Sequence, residues 1–112
     1  MIVELLTVLL LLIFGHFLAD YPLQGDFLAK AKNRKLPIAD IPWYQAMTAH
    51  AFIHAGAVFL ITHNFYLFIL EFVLHFAIDD LKCTSKINYN IDQFLHIYCK
   101  VIYVLILYVM TT

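Results

Sequence analysis

The sequence predicts an all-α protein: one integral-membrane domain, residues 1–112, folded as a four-helix transmembrane bundle with a short cytoplasmic interfacial segment between helices 1 and 2. Two observations predict the class. Hydrophobic residues make up 63% of the chain and charged residues 13%, whereas a soluble domain is about 45–50% apolar and about 25% charged. The apolar residues also gather into four runs of helix-spanning length, at about 2–21, 43–62, 65–82 and 91–110. A third observation concerns purpose. Each run carries ionisable side chains four residues apart, which places them on one helix face.

The first run, Ile2–Tyr21, reaches the ~20 residues that cross ~30 Å of hydrocarbon. It has no Lys or Arg before it, contains Glu4 and lacks a small-residue cleavage site, so it reads as an anchor rather than a signal peptide. Pro22 stops it. The segment Leu23–Pro42 holds Lys30, Lys32, Arg34 and Lys35. Phe27, Leu28 and Ala31 lie among these bases at helical spacing, which suggests a short helix in the headgroup region; a solvated loop is the plainer reading. Trp43 and Tyr44 open the second run as an interfacial belt. Thr62-His63-Asn64 is a tight polar connection. The third run ends at Lys82, a loop carries Lys86, and the fourth run opens with Asp92 and His96.

Six of the seven basic residues lie in the first and third loops, and Lys100 is the seventh. The positive-inside rule then places those loops in the cytoplasm and both termini outside an inner or plasma membrane. Cys83 and Cys99 form no CxxC motif, and both are expected to be free thiols, Cys99 as packing. A net charge of −1 offers no basic surface for nucleic acid. The expected surroundings are lipid bilayer; nothing fixes an oligomeric state.

The pairs are His16 with Asp20, His50 with His54, His75 with Asp79, and Asp92 with His96. Alternating helix direction brings all four to the cytoplasmic end. There His16, His54, His75 and His96 form a deeper layer, and Asp20, His50, Asp79 and Asp92 a shallower one. One such pair is commonplace on a helix and can be simple packing. Four pairs at one depth point to metal, because ionisable groups inside a membrane are expensive and usually functional. Five histidines and three aspartates exceed the needs of one tetrahedral zinc, and fit two divalent transition-metal ions, zinc or else iron or manganese, with room for water. Glu71 and Lys100 each continue a functional stripe about 12 Å inward. A buried Glu71–Lys100 pair closing the site's floor is expected; the alternative has Glu71 reaching a metal or a ligating histidine while Lys100 snorkels outward.

The motifs GHFLADYPLQ, HAFIH, HFAIDDLK and NIDQFLH resemble those of small bacterial and phage membrane proteins grouped as domain of unknown function 3307. That group is similar to inner-membrane metal-dependent hydrolases. The resemblance covers nearly the whole chain. It implies that His16, Asp20, Gln24, His50, His75, Asp79, Lys82, Asp92, Gln93 and His96 form the functional set.

The expected function is hydrolysis at the cytoplasmic interface, on a lipid or a lipid-linked ester or phosphoester. Asp20 or Asp92 could be a general base rather than a ligand. Lys82 could hold an anionic headgroup, and Gln24 and Gln93 could orient ligands or substrate; the plainer readings are a snorkelling lysine and helix-end amides. The alternatives are a di-iron, oxygen-using lipid enzyme, a haem-binding bundle, and a non-enzymatic metal-binding or phage membrane protein.

Overall fold

The computed structural model describes all residues, Met1–Thr112. It is all-helical: α1 (Ile2–Asp20), α2 (Gly25–Ala31), α3 (Trp43–Thr62), α4 (Phe65–Cys83) and α5 (Tyr89–Thr111). The four long helices form a ring in the order α1, α3, α4, α5, each packed on two neighbours, and α2 lies against α3. The body measures 50 × 23 × 22 Å.

The ends follow local chemistry. Pro22 prevents α1 from continuing, and α2 starts at Gly25, whose φ of +64° suits glycine. His63 adopts a left-handed conformation that ends α3, and Asn64 caps α4 by accepting a hydrogen bond from Leu67 N at 3.0 Å. The last helix begins at Tyr89, two residues before the expected Ile91, because Asn88 Oδ1 caps it through Ile91 N at 2.8 Å. The short helix expected after α1 is present as α2. Its inward face carries Gln24, Leu28, Ala31 and Lys32, while Phe27 is exposed. Trp43 turns toward Phe76 and Arg34, and Tyr44 alone of the expected belt pair is exposed.

Three helices, α1, α3 and α5, are long and apolar enough to cross a membrane. The expected fourth, α4, falls short by composition because it carries Glu71, Asp79, Asp80 and Lys82. The distribution of burial is inverted relative to a soluble protein. Ile2, Leu6, Leu10, Phe14, Leu60 and Val109 lie on the outside, whereas ten of the 23 buried residues are polar or charged.

The bundle has two ends of different character. Leu12, Val58, Leu67, Tyr103 and Val104 form an apolar core, with Cys99 packed at its edge. Toward the α2 end, that core gives way to the paired ionisable residues. Gly15 helps join the two, since a Cβ there would sit 3.3 Å from Ile61 Cδ1. Its absence lets α1 approach α3 closely, and the His16 and His54 rings lie 5.2 Å apart.

Candidate metal centre

Asp20 from the end of α1, His50 and His54 from α3, and His75 from α4 each bring one ligand atom to within 4.8 Å of all the others. The closest separations are 3.2 Å between His75 Nε2 and His50 Nε2, 3.2 Å between His54 Nε2 and Asp20 Oδ1, and 3.3 Å between His50 Nε2 and Asp20 Oδ1. A tetrahedral site with bonds of about 2.0–2.1 Å has ligand–ligand edges of about 3.4 Å. Three of the six separations are close to that edge and the others lie within 4.8 Å, so the group could hold an ion after the stacked His54 and His75 rings move apart.

Hydrogen bonding does not account for this crowding. His50 Nε2 faces His75 Nε2 at 3.2 Å, Asp20 Oδ1 at 3.3 Å and Asp79 Oδ2 at 3.4 Å. One ring nitrogen carries at most one proton and cannot serve three partners. A divalent cation would satisfy His50, His75 and Asp20 together, so the residues could hold a metal.

A second group, Asp79, Asp92 and His96, meets the same criterion of proximity. His96 Nε2 lies 3.1 Å from Asp92 Oδ1. This group already holds a cation of the chain's own. Lys32, fully buried, reaches in from the end of α2 with its Nζ 2.5 Å from Asp79 Oδ2, and also donates to Gln24 Oε1. Lys82 Nζ lies 3.6 Å from Asp79 Oδ1. The two groups cut across the expected layers, since the first combines deep His54 and His75 with shallow Asp20 and His50.

His16 belongs to neither group. Its Nε2 is 3.0 Å from Gln93 Oε1 and 3.6 Å from Asp20 Oδ2. Gln93 links three residues of the site: its amide donates to Asp20 Oδ2 at 2.8 Å and Asp92 Oδ2 at 3.1 Å while its oxygen meets His16. Gln24 acts from further out, donating to the backbone oxygen of Asp20 at 2.9 Å. His63, the one histidine outside the pairs, is exposed in the α3–α4 turn.

Beneath the first group, Lys100 Nζ is 3.1 Å from both Glu71 oxygens and Tyr103 donates its hydroxyl to Glu71 at 2.7 Å. Glu71 Oε2 also lies 3.3 Å from His75 Nδ1 and 3.8 Å from His54 Nδ1. The expected Glu71–Lys100 pair is formed, and Lys100 is buried rather than snorkelling outward as the alternative required. Glu71 thus sets a negative charge behind the His75 and His54 rings, while His75 Nδ1 itself has no hydrogen-bond partner.

Sequence reasoning missed Lys32, which it placed among solvated interfacial bases. The signal lay in spacing: Lys32 follows Leu28 by four and Gln24 by eight, on the inward face of α2. It also missed Tyr103, which continues the fourth helix's stripe three residues past Lys100.

Residues 8–112 match the family described as Protein of unknown function (DUF3307). The chain belongs to that family. Every pair of the DUF3307 chain, including His16 and Asp20, lies inside the matched region. No curated protein and no solved structure matches the chain.

Proposed function

We propose that this chain is a membrane-embedded, metal-dependent hydrolase working at the cytoplasmic interface on a lipid or a lipid-linked ester or phosphoester. The observation that carries the reading is the convergence of Asp20, His50, His54 and His75, with ligand atoms within 4.8 Å of one another, inside a lipid-facing bundle. Three imidazoles and a carboxylate suit zinc, with iron(II) and manganese as the other candidates. Such an ion, when bound, makes water a nucleophile near neutral pH and polarises a carbonyl or phosphoryl oxygen.

The surrounding residues supply the rest. The Asp20 side chain is 11% exposed while the three histidines are 0–1% exposed, so water reaches the site on the Asp20 side. Asp92 orients His96 through Nε2, which equips that pair to accept a proton. Gln93 holds Asp20 and Asp92 in register. Glu71 Oε2 lies 3.3 Å from His75 Nδ1 and 3.8 Å from His54 Nδ1, which sets a negative charge behind both rings. The second group can take a further ion only in competition with the Lys32 ammonium, so the first group is the principal site.

In this reading α4 is the fourth span. Its carboxylates Glu71 and Asp79 are turned inward at 1–2% exposure, and Tyr66, Ile69 and Val73 face lipid. The basic residues between α1 and α3, with Lys82 and Lys86, put the metal end at the cytoplasm and both termini outside. A haem is disfavoured by the packing of the histidines: the His54 and His75 rings stack at 3.6 Å and His75 and His96 at 4.1 Å, which leaves no slot for a macrocycle.

The test is turnover by zinc-loaded protein in micelles against short-chain lipid esters and phosphoesters. Hydrolysis that disappears together with bound metal in His50→Ala supports the reading. Folded, metal-loaded protein that cleaves none of them contradicts it.

A further inference from the structure

Two buried or half-buried lysines meet at one carboxylate. Lys32 Nζ holds Asp79 Oδ2 at 2.5 Å and Lys82 Nζ approaches Asp79 Oδ1 at 3.6 Å. The same Oδ2 that Lys32 holds also lies 3.4 Å from His50 Nε2 and 3.9 Å from His75 Nε2. Were Asp79 to turn from the lysines toward the histidines, Lys32 and Lys82 would both lose this carboxylate partner.

Charge balance says what they are for. Glu71 and Lys100 cancel one another. Asp20, Asp79 and Asp92 then face Lys32 and Lys82, and a divalent ion leaves the site one positive charge in excess. An anion completes it.

There is also an entrance. A cavity of about 500 Å³ at the α4–α5 loop is bounded by Lys82, Ser85, Lys86, Asn88 and Tyr89. A comparable cavity along α3, bounded by Tyr44, Phe52 and Ile53, opens on the lipid-facing side instead. Lys86 is exposed and makes no ion pair. Tyr89 lies under the Lys82 ammonium and hydrogen-bonds Tyr21 across the α1–α5 seam.

We propose that Lys32 and Lys82 form a phosphate subsite beside the metal centre, entered through the α4–α5 cavity, so that the substrate is a phosphate-bearing amphiphile. The inference rests on the hydrolase reading for the word substrate; the subsite itself rests on the lysines. Lysine ammoniums act as point charges toward phosphate oxygens, and a polar cavity at the interface admits a headgroup while acyl chains stay in lipid.

Calorimetry on zinc-loaded protein in maltoside micelles tests this with three probes: dihexanoyl phosphatidate, inorganic phosphate, and dihexanoylglycerol, which lacks the phosphate. Phosphatidate should bind and dihexanoylglycerol should not. Lys82→Gln should weaken phosphatidate binding about tenfold or more, the scale of one charge-assisted contact, with zinc content unchanged and with Lys35→Gln, at an exposed base elsewhere, behaving as wild type. Lys32→Gln should act in the same direction; should it fail to fold, Lys82→Gln decides. Inorganic phosphate binding as tightly as phosphatidate assigns the subsite to a soluble phosphate, and weaker binding assigns it to the lipid. Unchanged affinity in Lys82→Gln, or equal binding of dihexanoylglycerol, overturns the subsite. Lysine-dependent binding without turnover would sink the hydrolase reading and leave the subsite. Lysine-independent turnover of dihexanoylglycerol does the reverse.

Discussion

Lys100 Nζ sits 3.1 Å from both oxygens of Glu71, and neither side chain is more than 1% exposed. The two residues lie on adjacent helices, each eight positions inward of an aspartate of the site. The pair closes the floor of the metal centre and also faces it, through His75 Nδ1 at 3.3 Å.

Removing one partner leaves an uncompensated charge in a region without water. Glu71→Gln or Lys100→Met alone should therefore destabilise the bundle by about 3–5 kcal/mol. Replacing both with apolar residues should cost much less than the sum. Detergent unfolding of the single and double variants measures this, and additive losses would show that the residues do not act as a pair.

The segment around α2 is tied to α4 by two ion pairs of different burial. Arg34 Nε meets Asp80 Oδ1 at 2.9 Å near the surface, whereas Lys32 and Asp79 are both 2% exposed in their side chains. Arg34→Ala should cost little and Lys32→Met several times as much, as expected for exposed and buried pairs respectively. Equal effects in thermal unfolding would contradict the burial of Lys32.

The sequence alone favours Asp20 as the general base, whereas the proposed reading makes Asp20 a ligand and Asp92 the base. Asp20 Oδ1 stands among the imidazole nitrogens at 3.2–3.3 Å, while Asp92 is bound to His96 and Gln93. Asp20→Asn should lose metal. Asp92→Asn should retain it and lose turnover by about 10²-fold or more, the scale of general-base catalysis. Metal retention in Asp20→Asn, measured by elemental analysis, would reverse the assignment.

The proposed orientation predicts that a reporter fused after Thr112 reads as extracytoplasmic. Cys83, at the metal end of α4 and partly exposed, should react from the cytoplasmic side. Labelling from the opposite side would place the site on the other face of the membrane.

Much of this was legible because the bilayer makes polar residues informative. In an apolar helix the i, i+4 pairs have few alternatives to the bundle interior, so His50, His54, His75 and Asp79 could be placed on a common interior from spacing alone. The Glu71–Lys100 contact followed from the same depth arithmetic. Which ligands share an ion was not legible, because it depends on helix rotation: His16 turned to Gln93 rather than joining the group above Glu71. Lys32 was hidden for a related reason. In a segment rich in bases, a buried lysine differs from a solvated one only by its face on a two-turn helix. The charges of α4 keep it from counting as a span by composition, although Glu71 and Asp79 are buried in the bundle.

The central claim is a metal held by Asp20, His50, His54 and His75, and metal analysis combined with X-ray absorption on detergent-purified protein tests it most directly. The account predicts at least one tightly bound transition-metal ion per chain, with a first shell of three imidazole nitrogens and carboxylate oxygen at about 2.0–2.1 Å, and loss of that ion in His50→Ala. Protein that purifies without metal, binds none on titration with zinc, iron(II) or manganese, and keeps its fold and stability in strong chelator would contradict it.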